Sequence, residues 1–111
     1  MFTVVETPTF IRRAARLLTE DDRVALIDYL AAFPTAGDVI PETSGVRKLR
    51  FAARGKGKSG GVRVIYYVVD ENRPLYALLI YGKGEQDNLT SEQKKAVRAF
   101  AEAIKTARRQ R

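Results

Sequence analysis

The spacing of apolar residues changes character along the chain, and each change predicts an element. Phe2 to Glu6 reads as a short strand. Phe10, Ile11, Ala14, Leu17 and Leu18 then recur at helical spacing behind Thr7-Pro8, a capping hydroxyl followed by a proline suited to a first turn. A second helix is expected from Thr19, whose hydroxyl can cap while Glu20, Asp21 and Asp22 sit at the positive end of the helix dipole. Its apolar stripe would be Val24, Ile27, Leu30 and Ala31. Pro34 ends that helix, and Ala36, Gly37, Asp38 and Pro41 continue the break as a loop as far as Gly45.

From Val46 the period drops to two, with Arg47, Leu49 and Phe51 on one face of a strand and Lys48, Arg50 and Ala52 on the other. Arg54 to Gly61 is rich in glycine and lysine and reads as a connection. Val62 to Val69 is dense in β-branched and aromatic residues, as in a central strand buried on both faces. Asp70 to Pro74 makes a turn, and Leu75 to Tyr81 returns as the next strand of an antiparallel meander. Thr90 and Gln93 form a capping box for a last helix, whose buried side carries Val97, Phe100, Ala101, Ile104 and Ala107. The expected fold is α+β: a small antiparallel sheet with two N-terminal helices and a C-terminal helix, the helices packed on one face.

Composition narrows the chemistry. At 111 residues the chain has room for one domain, 1–111. It contains neither Cys nor His, which removes Ser-His and Cys-His nucleophilic catalysis and the Cys/His ligand sets of zinc sites. Catalysis would have to run on Lys, Arg, Tyr or carboxylates, with no metal and no cofactor expected. No run approaches the roughly 18 apolar residues of a membrane span, and Met1 to Glu6 lacks a basic-then-apolar leader pattern. A cytoplasmic protein with no membrane partner is expected.

Charge is the strongest signal. Lys and Arg number 20 against 13 carboxylates, a net charge of +7. No carboxylate lies between Thr43 and Val69, a window that holds Arg47, Lys48, Arg50, Arg54, Lys56, Lys58 and Arg63, so the whole surplus sits in one quarter of the chain. Such a concentration focuses potential on an anion, whereas a face kept only for solubility intersperses both signs.

Two motifs inside this window are imitations. Gly55-Lys56-Gly57-Lys58-Ser59-Gly60 spells G-x-G-x-x-G, yet it opens a strand, and a dinucleotide loop must open a helix. Gly57-Lys58-Ser59 resembles the end of a Walker A loop, but Ala52 stands where its first glycine is required.

Lys48 and Arg50 lie two apart on one strand, so both side chains emerge on the same face about 7 Å apart, comparable to consecutive RNA phosphates. Arg63, near the start of the next antiparallel strand, can reach the same neighbourhood. Such cations would hold an RNA backbone and stabilise the extra charge of a phosphorane during attack by a 2′-hydroxyl. Crowded lysines repel one another, which lowers their pKa towards a usable general-base value. Of Tyr66, Tyr67, Tyr76 and Tyr81, most are expected to be core residues with satisfied hydroxyls. Tyr67 shares a strand face with Arg63 and is the candidate for base stacking. Lys83, at the exit of the last strand, either points into the same cleft or is a solvated turn residue.

The runs Gly45-Val46-Arg47-Lys48-Leu49-Arg50, Gly55 to Tyr67, and Tyr81-Gly82-Lys83-Gly84-Glu85-Gln86-Asp87-Asn88-Leu89 resemble the RelE/HigB toxins of bacterial toxin–antitoxin pairs, the HigB-like branch most closely. The resemblance extends over nearly the whole chain. It implies a microbial RNase (RelE-like) fold and ribosome-dependent cleavage of mRNA. It also implies a cognate antitoxin, often a helix-turn-helix protein, that blocks the cleft. By this analogy Lys48 and Arg50, or the loop lysines including Lys58, would serve as phosphate clamp and proton acceptor, and Arg63 would stabilise the transition state. Lys83 completes the candidate catalytic set, with Arg47, Arg54, Lys56 and Tyr67 as RNA-binding residues.

The chain departs from the RelE pattern at Gly84, where that pattern has arginine, and at Leu89-Thr90, where it has a stacking tyrosine. The Lys-x-Glu-x-Asp-x-Leu form found here is the one common in the HigB-like branch. Glu85 and Asp87 either take part in the site or pair with Lys83 and cap the helix at Thr90. Lys105, Arg108, Arg109 and Arg111 either touch ribosomal RNA or form a helix end with favourable dipole placement. Two other functions fit the element order: inhibition of DNA gyrase, as in the ParE branch of the superfamily, and a non-catalytic RNA-binding module.

Overall fold

Thr7 joins the first strand to the first helix and pins both to the sheet. Its hydroxyl accepts from the Phe10 N–H at 3.3 Å and donates to the Leu78 carbonyl at 3.2 Å. In this computed structural model, which describes residues 1–53 and 61–109, that residue separates β1 (Val4–Glu6) from α1 (Pro8–Leu17). Thr19 caps α2 (Glu20–Ala32) in the same way, accepting from the Asp22 N–H at 3.1 Å. Leu26 and Leu30 of α2 are buried and Ile27 packs against the same core, so the expected stripe faces in except at Val24, which is 49% exposed. Docking against the sheet adds Leu26 to the inward side and leaves Val24 outside it.

The remaining elements are β2 (Asp38–Val39), β3 (Arg47–Phe51), β4 (Val62–Tyr67), β5 (Leu75–Gly82) and α3 (Ser91–Arg109). The strand order is β1-β5-β4-β3-β2. The β3-β4-β5 meander is antiparallel as expected. The sheet as a whole is mixed, because β1 runs parallel to β5 with Val4 opposite Leu75. The segment read as pure loop contributes the two-residue edge strand β2, which pairs Asp38 with Lys48 and Val39 with Arg47.

The helices do not share one face of the sheet. Leu49, Val62, Val64, Tyr66, Leu75, Ala77 and Ile80 pack with Phe10, Ala14, Leu17, Leu26 and Leu30 of α1 and α2. Ile65, Tyr67, Leu79 and Tyr81 face the opposite way, into a cluster with Val97 and Ala101 of α3. The reason is visible in β4 and β5: side chains of both alternating sets are apolar, so a sheet covered on one side alone would leave a hydrophobic face in water.

α3 begins at the expected capping box. The Gln93 N–H donates to the Thr90 hydroxyl at 3.1 Å, and the Thr90 N–H to Gln93 Oε1 at 3.0 Å. Polar ties hold it to the loop before β3. Lys105 Nζ donates to the Ser44 carbonyl at 2.7 Å, the Ser44 hydroxyl to Glu102 at 2.9 Å, and Lys94 pairs with Glu42 at 3.2 Å. Buried Thr43 shapes this loop by donating to the Ile40 carbonyl and accepting from the Val46 N–H. No described helix is long and apolar enough to cross a membrane.

Candidate functional site

Strand register brings the expected cations into one row. Arg50 of β3 stands directly opposite Arg63 of β4, and Arg63 stands directly opposite Tyr81 of β5. Lys48 faces Ile65 one step along, and Ile65 belongs to the cluster under α3, which fixes the side on which Lys48, Arg50, Arg63 and Tyr81 project. Directly opposed side chains on a sheet have Cβ atoms about 4.5–5.5 Å apart, and like charges in that relation destabilise the pair. Arg50 is exposed; Lys48 and Arg63 are half-buried. Two arginines held face to face, with a lysine beside them, make a ready acceptor for a bridging anion.

Lys83 belongs to the same end of the sheet. It follows Gly82, the partner of Val62, and its backbone N–H donates to the Gly61 carbonyl at 3.3 Å. The turn it starts is tied down by Glu85, whose carboxylate accepts from the Gly82 N–H at 2.7 Å and from Arg16 at 3.0 Å. The Gly82 hydrogen bond, and after it Arg16, hold the Glu85 carboxyl below the usual carboxylate range. Glu85 therefore pairs with Arg16 of α1 and not with Lys83, and the N–H of Thr90 is satisfied by Gln93. Asp87 lies close enough to the Tyr81 hydroxyl to be felt by it.

Other candidates fall elsewhere. Arg47 projects to the opposite side of β3, where its guanidinium donates to the carbonyls of Thr35 and Gly37 at 3.3 and 2.7 Å. Tyr67 is 2% exposed and sits four residues from Arg63, about 13 Å along the strand. Both line a cavity of about 620 Å³ at the far end of β4, together with Val39, Ser44, Gly45 and Lys105. Arg54, Lys56, Lys58 and both glycine motifs lie outside the described residues, as does Arg111.

The tyrosines divide in a way their spacing does not reveal. Tyr66 is fully buried and its hydroxyl accepts from the Gly37 N–H at 2.8 Å. A side chain at position 37 would crowd both that ring and the Lys48 carbonyl, so glycine is required there. Tyr76 meets Phe100 edge-on at 5.2 Å. Tyr81 is equally buried, but its hydroxyl has no partner, contrary to the expectation of a satisfied core tyrosine. Burial pushes its pKa up; Arg63 opposes this and Asp87 adds to it. Sequence reasoning passed over Tyr81 because only the register places it beside Arg63.

Residues 40–111 match the family model described as the RelE toxin of the RelE/RelB toxin–antitoxin system. The chain belongs to the RelE toxin family. It is the toxin of a toxin–antitoxin pair, its partner is an antitoxin, and toxins of this family are in general ribonucleases. The matched region contains the whole meander, the Arg50–Arg63–Tyr81 row and the turn carrying Lys83 and Asp87. In this RelE toxin α1 and α2 precede the match and serve as the packing layer behind the sheet.

Proposed function

We propose that this RelE toxin is a ribosome-dependent mRNA endonuclease of the HigB-like branch, working in the cytoplasm without a metal and silenced by a helix-turn-helix antitoxin over its cationic face. The observation that carries the reading is the direct opposition of Arg50 and Arg63, with Lys48 on the same face and no carboxylate in the sequence from 43 to 69. Two arginines held at opposed positions on a structured sheet can take an anion between them. In the reaction, the 2′-hydroxyl attacks the adjacent phosphorus and the 5′-oxygen leaves, so the product is a cyclic phosphate or the 3′-phosphate formed from it. Arg63 meets the charge that develops on the phosphorane oxygens, and Lys48 and Arg50 hold the backbone in register. Lys58 and Lys83 are the candidates for proton transfer, and Arg54 and Lys56 extend the grip along the RNA.

The test is cleavage of translated mRNA by the purified toxin with and without EDTA, beside Arg63→Ala. Unchanged cutting in EDTA, loss with Arg63→Ala and ribosome binding nearly intact would support the reading. Magnesium-dependent cutting of naked RNA would overturn it. A DNA-damage response with intact messages would assign the toxin to gyrase instead.

A further inference from the structure

Among the described residues, the Tyr81 hydroxyl is the one buried side-chain polar atom without a hydrogen-bond partner. Burying a hydroxyl unpaired is costly, and phenylalanine would fill the same space without that cost. Tyr66, on the opposite face and equally buried, shows the ordinary arrangement, with its hydroxyl satisfied by Gly37. The difference between them is location. Tyr81 stands opposite Arg63, which stands opposite Arg50, and Asp87 approaches from the following turn. Asp87 and Asp38, which stands opposite Lys48, are set against Lys48, Arg50 and Arg63, so cations outnumber carboxylates at the row.

We propose that Tyr81 is the neutral donor of a phosphate subsite: its O–H hydrogen-bonds a phosphoryl oxygen of the RNA backbone while Arg63 supplies the charge. This deepens the nuclease reading and rests on it for the identity of the phosphate. The hydroxyl is shielded from water in the chain alone, so the contact requires side chains at the row to shift as the phosphate binds. A donor already fixed on a strand in a dry environment needs no reorientation when charge develops, which is the arrangement that favours a transition state over a ground state. Because burial favours the protonated phenol, the donor keeps its proton through the neutral range.

Tyr81→Phe keeps the ring and removes only the donor. Three measurements on toxin freed of antitoxin test it: thermal midpoint, affinity for a 2′-O-methyl oligoribonucleotide that cannot be cleaved, and cleavage on ribosomes. The expected results are an unchanged or raised midpoint, oligonucleotide binding weaker by about tenfold, and cleavage slower by about tenfold or more. Binding equal to wild type overturns the proposal, whether or not cleavage survives. A clear fall in thermal midpoint also overturns it, because the hydroxyl would then be holding the fold. If wild-type toxin cuts no message but Tyr81→Phe still weakens oligonucleotide binding, the nuclease reading fails and the phosphate subsite stands.

Discussion

The two faces of β4 are both largely apolar and differ at one end, where the α3 side carries Arg63. On the side of α1 and α2, Val62, Val64 and Tyr66 are buried, and the one polar atom among them is satisfied by Gly37. On the side of α3, Arg63 is opposed by Arg50, and the neighbouring Tyr81 hydroxyl is left without a partner. The first face resolves every conflict, as a packing layer should. The second keeps like charges opposed and a donor unpaired at one end, while α3 closes the other end with Val97 and Ala101. Local conflicts retained beside a well-packed core are the usual mark of a site that a ligand completes.

The sharpest way to break this comparison is a pair of substitutions one residue apart. Arg63→Ala should reduce ribosomal cleavage by about 10²–10³-fold, as loss of a transition-state donor does, while stability changes by less than about 1 kcal/mol at this half-buried site. Val64→Ala should do the reverse, lowering stability by about 1–3 kcal/mol in denaturant unfolding and leaving cleavage per folded molecule unchanged. Equal effects on both quantities in both variants would erase the distinction between the faces.

Next in size is the packing layer itself. Leu30→Ala should cost about 2–5 kcal/mol because Leu30 is fully buried, whereas Val24→Ala should change stability by less than about 0.5 kcal/mol. Urea titration of the two variants decides whether the inward stripe of α2 stops short of Val24. The tyrosines give a smaller contrast: Tyr66→Phe strands the buried Gly37 N–H and should cost about 1–2 kcal/mol, while Tyr81→Phe should cost nothing.

Glu85→Gln is expected to have the smallest effect and a specific pH signature. The folded carboxyl titrates below its ordinary value, so its ionised form favours the fold above the usual carboxylate range. That contribution is lost as pH falls through the lowered value. The thermal midpoint of Glu85→Gln should therefore lie below that of wild type at neutral pH and converge with it in acid. A constant gap across pH would show that neither the Gly82 contact nor the Arg16 pair depends on the charge.

Much of this was readable in the chain. Thr7 and Thr19 cap the helices they were expected to cap, and Thr90 with Gln93 forms the box that opens α3. The period-two run from Arg47 put Lys48 and Arg50 on a common face, and the antiparallel meander brought Arg63 to them. Those features rest on contacts between near neighbours or on simple alternation, which a linear sequence records directly. Alternation also put Arg47 on the other face of β3, but not its ties to the carbonyls of Thr35 and Gly37, which depend on the segment around β2 folding against β3.

The sequence by itself determined the order of all elements but the short β2, the helix starts, the face shared by Lys48 and Arg50, and the concentration of positive charge. Tertiary structure decided that β1 joins β5 in parallel, that α3 closes the face opposite α1 and α2, and that Tyr81 stands beside Arg63 with an unpartnered hydroxyl. The division follows from range. Periodicity, caps and charge are properties of residues a few positions apart, whereas register and the choice of covered face depend on which distant surfaces bury the most apolar area together.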